Sequence, residues 1–257
     1  MTAILVTALS HDGAERDHNE DSLVVGPWTT CAVTTSTPQT LAFPTRDPVI
    51  VAVADGLGGH PAGELASSVV VESLSRVGHL MADEAVLRDA LIACNEAVFE
   101  QAGLDASRAS MGTTVAGVVV TEEGVLVFNV GDSRVYAAEA AGVRLVSQDD
   151  SPPLAPGQRH TSIVTQTLGG APSLRPVDPH VTRYDVEPGV RYLVCTDGVT
   201  DVVDDDDIAA VLGGLTGPEA VFALWRAAMN AGGPDNITIA LVELVEVAGP
   251  ADASAAD

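Results

Sequence analysis

Lysine is absent: all 12 of the Lys and Arg residues in this chain are arginine. A phosphate-cradling P-loop, a protein kinase and a pyridoxal enzyme each need a lysine, so all three are excluded. Cationic charge is scarce as well. Against those 12 stand 36 Asp and Glu, a formal net charge of -24, which argues against nucleic acid or an anionic membrane surface as a partner. Three cysteines, Cys31, Cys94 and Cys195, lie far apart without a CxxC pair, so neither a disulfide framework nor a zinc ribbon is expected. No run approaches the roughly 18 apolar residues of a membrane span, and the opening residues lack a signal peptide's basic start. A soluble cytoplasmic protein is the expectation.

What is present is the composition of a globular chain: 257 residues, 46% hydrophobic and 19% charged. Runs rich in Val, Ile and Thr at 3–9, 49–54, 113–121, 124–130, 134–138, 143–147, 180–186, 191–196 and 237–245 predict strands. Short links between neighbouring runs favour antiparallel hairpins. Helical periodicity covers 62–77, 84–101 and 218–230. The stretch 26–48 reads as a polar, Pro-containing excursion and 148–176 as loop. A single domain over 1–247 is expected, followed by a disordered tail at 248–257.

The informative pattern is carboxylates at the ends of apolar strands. Asp55 closes VIVAVAD, Asp197 closes YLVCTD, Asp132 follows VFNVG, and Asp235-Asn236 opens ITIALV. Asp-Gly and Asp-Asn are also ordinary turn dipeptides. Four repeats of the arrangement at converging strand ends would nevertheless be costly without a neutralising cation. The donors are hard oxygens and the histidines lack zinc spacing, which favours Mg²⁺ or Mn²⁺. Glu20 and Asp21 add two carboxylates beside Arg16. Three glycines within four residues, Gly56, Gly58 and Gly59, allow close backbone approach after Asp55, but the spacing is not that of a dinucleotide fingerprint.

These segments, together with Arg16-x-x-Asn19-Glu20-Asp21, Gly63-x-x-Ala66-Ser67, Met111-Gly112-Thr113-Thr114, Asn129-x-Gly131-Asp132-Ser133-Arg134-x-Tyr136, Thr196-Asp197-Gly198-x-Thr200-Asp201 and Asp235-Asn236-x-Thr238, occur in the order of the bacterial PP2C-type metal-dependent serine/threonine phosphatases, which the chain resembles from about residue 3 to 245. The resemblance implies an α+β fold, a four-layer αββα sandwich of two mainly antiparallel sheets flanked by helices. It implies two Mn²⁺ or Mg²⁺ ions, bridged by Asp55 and completed by the Gly56 carbonyl, Asp197 and Asp235, with Glu20 and Asp21 acting through metal-bound water. Asp132 with Asp197 would hold a third, weaker ion; Arg16 would bind the phosphate and Asn236 would support its neighbours.

The implied activity is hydrolysis of phosphoserine and phosphothreonine in proteins by a metal-activated water, with phosphorylated proteins as substrates, a cognate Ser/Thr kinase as counterpart and a monomeric enzyme. The alternative is a regulatory or phospho-dependent interaction module with little turnover. Two departures from the resemblance stand out. Leu57 occupies the place where some eukaryotic members carry a general-acid His, leaving His60 as a candidate three residues on, and the flap between Asp150 and Thr165 is short. Cys195 is expected to be buried, and Trp28 and Trp225 to be packing residues.

Overall fold

The structure is a computed structural model that describes residues 2–59, 61–139, 141–153, 158, 161, 163–186 and 189–246. The first part of the chain forms β1 (Thr2–His11), β2 (Ser22–Val25), β3 (Trp28–Cys31), β4 (Gln39–Pro44), β5 (Val49–Ala54) and β6 (Gly56–Leu57). Helices α1 (Ala62–Val77) and α2 (Glu84–Gly103) follow, then β7 (Gly112–Thr113), β8 (Val115–Val120), β9 (Val125–Val130), β10 (Arg134–Glu139) and β11 (Gly142–Leu145). The remainder is β12 (Leu168–Gly169), β13 (His180–Tyr184), β14 (Arg191–Cys195), α3 (Asp197–Thr200), α4 (Asp205–Gly214), α5 (Gly217–Asn230) and β15 (Ile237–Glu246).

Two six-stranded sheets result, ordered β11-β10-β14-β15-β1-β4 and β13-β9-β8-β5-β2-β3, with a small β12-β7-β6 sheet beside them. The pairings among the described residues are antiparallel, as the short hairpin links require. Val6, Val194 and Val242 of one large sheet pack against Val51, Val118 and Val127 of the other. On the outer face of the second sheet, Ile50, Ala52 and Phe128 meet Val70, Leu74, Leu87 and Leu91 of α1 and α2. On the outer face of the first, Leu193, Ile239 and Leu241 meet Ile208, Leu212, Val221 and Leu224 of α4 and α5. The four-layer αββα sandwich is therefore present.

Covered faces explain the sequence pattern. Strands β5, β8 and β9 are buried at every position, because one set of side chains enters the inter-sheet core while the alternate set meets helices. A period-two polar face would have no solvent to meet. Each fully buried Val contributes roughly 1.5–3 kcal/mol.

The excursion 26–48 is not wholly irregular: it contains β3 and β4, and β4 pairs with β1 from Ala3↔Pro44 to Ala8↔Gln39. Threonines and an edge position gave it no continuous apolar run. Trp28 is the other correction. It is 63% exposed at the β2–β3 turn on an edge strand, so it is not a core residue, whereas Trp225 packs against Phe222 and His11. The tail 248–257 and His60 lie outside the described residues, as does much of the short flap. Among the described residues no helix is long and apolar enough to cross a membrane.

Candidate metal centre

The strand ends singled out by the sequence meet at one edge of the two large sheets. Ser22 pairs with Ala54 and Val115 with Val130, which brings Asp21, Asp55, Thr114 and Gly131 together in one sheet. Ser10 pairs with Thr238 and Cys195 with Ile239, which does the same for the His11 loop, Thr196-Asp197 and Asp235-Asn236 in the other.

Backbone hydrogen bonds fix each carboxylate from behind. Thr113 Oγ1 donates to the Asp55 carbonyl at 2.7 Å and the Asp55 N–H donates to Thr114 Oγ1 at 3.2 Å, while Thr114 Oγ1 and Ser133 Oγ are 2.8 Å or less apart, at 2.7 Å. Ser67 Oγ donates to the Glu20 carbonyl at 2.6 Å. Asn236 receives the Glu20 N–H at 2.8 Å and donates its amide to the carbonyls of Asp12 and His18 at 3.1 and 2.9 Å. The asparagine thus ties both ends of the Arg16 loop to the Asp235 turn.

Glycines are required where backbones touch. A Cβ on Gly56 would strike the Gly63 carbonyl, and one on Gly63 would strike Glu20 Oε2. Gly13, at φ +78°, lies against the Asp235 carbonyl.

The electrostatics are those of an uncompensated acidic cluster. Burial first, and then Asp197, Asp21 and Asp235, push the Asp55 carboxyl well above its ordinary range. Asp197 lies close enough to Asp55 to raise its proton affinity by like-charge repulsion. Burial and the neighbours Asp132, Asp201 and Asp235 push Asp197 up to about 8. Burial raises Asp21 to about 7 and Asp132 to about 6. Asp21 Oδ1 and Asp197 Oδ1 are buried without a hydrogen-bond partner.

The nearby cations are committed to individual carboxylates. Arg16 donates to Asp235 Oδ2 at 2.7 Å, and Arg134 grips Asp149 through Nε and an Nη at 3.0 and 2.7 Å to Oδ2. Glu20 Oε1 meets His18 Nε2 at 2.8 Å.

A divalent cation fits this chemistry. The donors are hard carboxylate oxygens, two of them orphaned, and a cation would offset the mutual repulsion that raises Asp55 and Asp197. Among the described residues no group of three or more His, Cys, Asp or Glu side chains closes into a cage that could hold a metal by itself. Backbone carbonyl and water ligands would have to complete the shell, as the resemblance implies for Gly56, Glu20 and Asp21.

Sequence reasoning missed Asp150 as an organising residue. Its Oδ2 accepts from the Gly131 N–H and from Gln166 Nε2, both at 2.9 Å, its Oδ1 meets His180 Nε2 at 2.9 Å, and its carbonyl accepts from the Thr165 N–H at 2.7 Å. Asp150 therefore joins the two ends of the flap to the turn that carries Asp132. Its only local signal was an Asp-Asp pair in a loop. Cys195 is buried as expected, with its thiol pushed up to about 12 by burial, which suits packing rather than nucleophilic attack.

An αββα frame whose two large sheets bring a cluster of carboxylates to one edge is an arrangement suited to holding divalent cations. A sequence profile of protein phosphatase 2C matches residues 39–246, and the chain belongs to that family. It is 29% identical to the serine/threonine protein phosphatase PstP of Mycobacterium tuberculosis over 96% of this chain and 46% of that protein. This chain thus spans about half the length of that relative. It is 30% identical to the serine/threonine phosphatase stp of Listeria monocytogenes over 76% of this chain and 84% of that one. Among solved structures, the catalytic domain of PstP in complex with two manganese ions superposes with a TM-score of 0.77 at 27% identity, covering 96% of this chain and all of that one. PppA of Pseudomonas aeruginosa, described as a regulatory component of T6SS, superposes with a TM-score of 0.76 at 26% identity over 95% of this chain and 100% of that one.

Proposed function

We propose that this chain removes phosphate from phosphoserine and phosphothreonine in proteins, using two divalent cations held at the sheet edge. The observation that carries the reading is the gathering of Asp21, Asp55, Asp197 and Asp235 at one sheet edge, where Asp21 Oδ1 and Asp197 Oδ1 are buried without a hydrogen-bond partner.

Asp55 would bridge the two ions, with the Gly56 carbonyl, Asp197 and Asp235 as further ligands and Glu20 and Asp21 reaching them through water. Asp132 with Asp197 would form a weaker third site. The cations, Mn²⁺ or Mg²⁺, would supply a water acidic enough to ionise near neutral pH and positive charge for the phosphate oxygens. Arg16 would bind the phosphate through its planar fork of donors, leaving Asp235 to do so. Leu57 contributes no proton to the leaving group, so that proton would come from water at the site. Phosphorylated proteins as substrates, a cognate kinase, a monomeric state and a cytoplasmic location complete the proposal, supported by the acidic surface charge and three free cysteines.

The test is hydrolysis of a phosphothreonine peptide after chelation and again after Mn²⁺ or Mg²⁺ is restored, with Asp55→Ala and Asp197→Ala variants alongside. Activity should return with metal and be absent from both variants. Tight metal binding without turnover on any phosphopeptide would favour the regulatory-module alternative.

A further inference from the structure

Asp21 is 1% exposed and, among the described residues, forms no ion pair with a cationic side chain. A buried carboxylate is tolerated only when hydrogen bonds hold its charge. Its donors are held in series. The Thr238 N–H donates to Thr196 Oγ1 at 3.1 Å, which occupies that oxygen as an acceptor, and the Thr196 hydroxyl donates to Asp21 Oδ2 at 2.9 Å, an arrangement in which successive bonds polarise one another. Beside this chain, Asn19 Nδ2 donates to Ser10 Oγ at 2.8 Å, and Ser10 Oγ and Thr238 Oγ1 lie 2.8 Å apart.

All four supporting residues are buried: Ser10 at 1%, Asn19 at 4%, and Thr196 and Thr238 at 0% exposure. They come from four separate places, the end of β1, the loop before β2, the turn after β14 and the start of β15. Asp21 Oδ1 is left buried and without a hydrogen-bond partner. A buried acceptor left unpaired is costly, which points to a use for this oxygen outside the protein's own hydrogen bonds.

We propose that Thr196 is a positioning residue that grips Asp21 Oδ2 with its hydroxyl, its own oxygen held by the Thr238 N–H, and so presents the free Oδ1 of Asp21 to the divalent-cation site. The proposal rests on the reading that the sheet edge takes divalent cations. It assigns a task to a threonine that the site's chemistry does not otherwise use. Its hydroxyl acts through Asp21 and touches neither substrate nor the reacting atoms.

The experiment is Mn²⁺ binding by the purified full chain, measured by titration calorimetry, with no substrate present. Thr196→Val keeps the shape and removes the hydroxyl; Thr196→Ser keeps the hydroxyl. The Val variant should weaken Mn²⁺ binding about tenfold, in line with the loss of other outer-shell partners, and the Ser variant should bind within about twofold of wild type. Thr196→Ala replaces the Val variant if that does not fold. In an Asp21→Asn background the Val change should add nothing further, because coupled residues fail to add.

Mn²⁺ affinity unchanged by Val, or losses that remain fully additive over Asp21→Asn, overturns the proposal. Asp197→Ala separates it from its premise. Binding that is lost in Asp197→Ala but unchanged in the threonine variants overturns the positioning role alone, whereas a wild-type chain that binds no Mn²⁺ overturns both.

Discussion

The guanidinium of Arg16 sits on the carboxylate of Asp235, 2.7 Å from Nη to Oδ2, with its Nε 3.4 Å from the Pro234 carbonyl. Burial opposes the charge on Arg16, and Asp235, Asp55 and Glu20 more than offset it. The residue proposed to bind phosphate is thus parked on a residue proposed to bind metal. A cation on Asp235 would weaken that pair and free the guanidinium for an incoming anion, so cation and phosphate should favour one another.

Arg16→Ala is accordingly expected to raise KM for a phosphothreonine peptide by one to two orders of magnitude with a smaller fall in kcat. The pair is 52% and 36% exposed, and such pairs contribute only about 0–1 kcal/mol to folding. The melting temperature should hold steady. Steady-state kinetics beside a thermal melt makes the check; an unchanged KM would remove Arg16 from the phosphate.

The metal-free protein should lose stability as pH rises. Asp197 and Asp21 are raised to about 8 and about 7, so the folded chain retains protons that the unfolded chain has released. Their stabilising contribution is complete below about pH 4, near the ordinary carboxylate value, and disappears as pH passes through the folded values. In chelator, Tm should fall between about pH 5 and pH 8.5, and Mn²⁺ should remove most of that fall. Asp197→Asn should flatten the slope, which separates the local cluster from general repulsion in a chain of net charge -24. A chelated Tm that climbs over this interval would contradict the arrangement.

Two glycine replacements should behave differently. In Gly63→Ala the new methyl meets Glu20 Oε2, the mobile end of a side chain, and alanine is the better helix residue by about 1 kcal/mol. The variant should fold, with Tm within a few degrees of wild type, and bind Mn²⁺ several-fold more weakly because Glu20 is displaced. In Gly56→Ala the obstacles are backbone, the Gly63 carbonyl and the Glu20 carbonyl at 2.6 Å, so that variant should lose the most stability of the two. Melting curves and Mn²⁺ titrations of both variants decide the matter.

Arg134 holds Asp149 in a pair only 23% and 18% exposed and also donates to the Tyr136 hydroxyl, which in turn donates to Asp205 at 3.0 Å. Arg134→Met should cost about 3 kcal/mol, because Asp149 and its neighbour Asp132 are left without their cation. At this chain length that corresponds to a Tm lower by roughly 6–12 °C. Asp149→Asn, which keeps one acceptor oxygen for Arg134 but not the charge, should cost less. Thermal denaturation in chelator measures both.

The strands and helices with continuous apolar signals were legible in the sequence nearly to the residue: α1 spans 62–77 as periodicity alone indicates, and β5 spans 49–54. What escaped was short or polar. Helix α4 opens on Asp205, Asp206 and Asp207, with Asp204 capping the Asp207 N–H at 3.1 Å; four consecutive aspartates hide a helix start that the helix dipole favours. Strand β4 is half polar because only one of its faces is covered. At the site, strand-end position identified Asp55, Asp132, Asp197 and Asp235, since each interrupts an apolar run. Thr196, Thr238 and Asp150 carry no such contrast with their surroundings, and their partners lie between 15 and more than 170 residues away along the chain.

The ten-residue pairing of β1 with β15, from Thr2↔Glu246 to His11↔Ile237, has a consequence for biosynthesis. Translation delivers Ser10, Arg16 and Asp21 early, but Asp235 and Thr238 leave the ribosome after every other strand of the two sheets. Until then β1 lacks its longest partner and the acidic edge lacks one wall. The nascent chain therefore carries no assembled acidic edge until β15 has been made and docked.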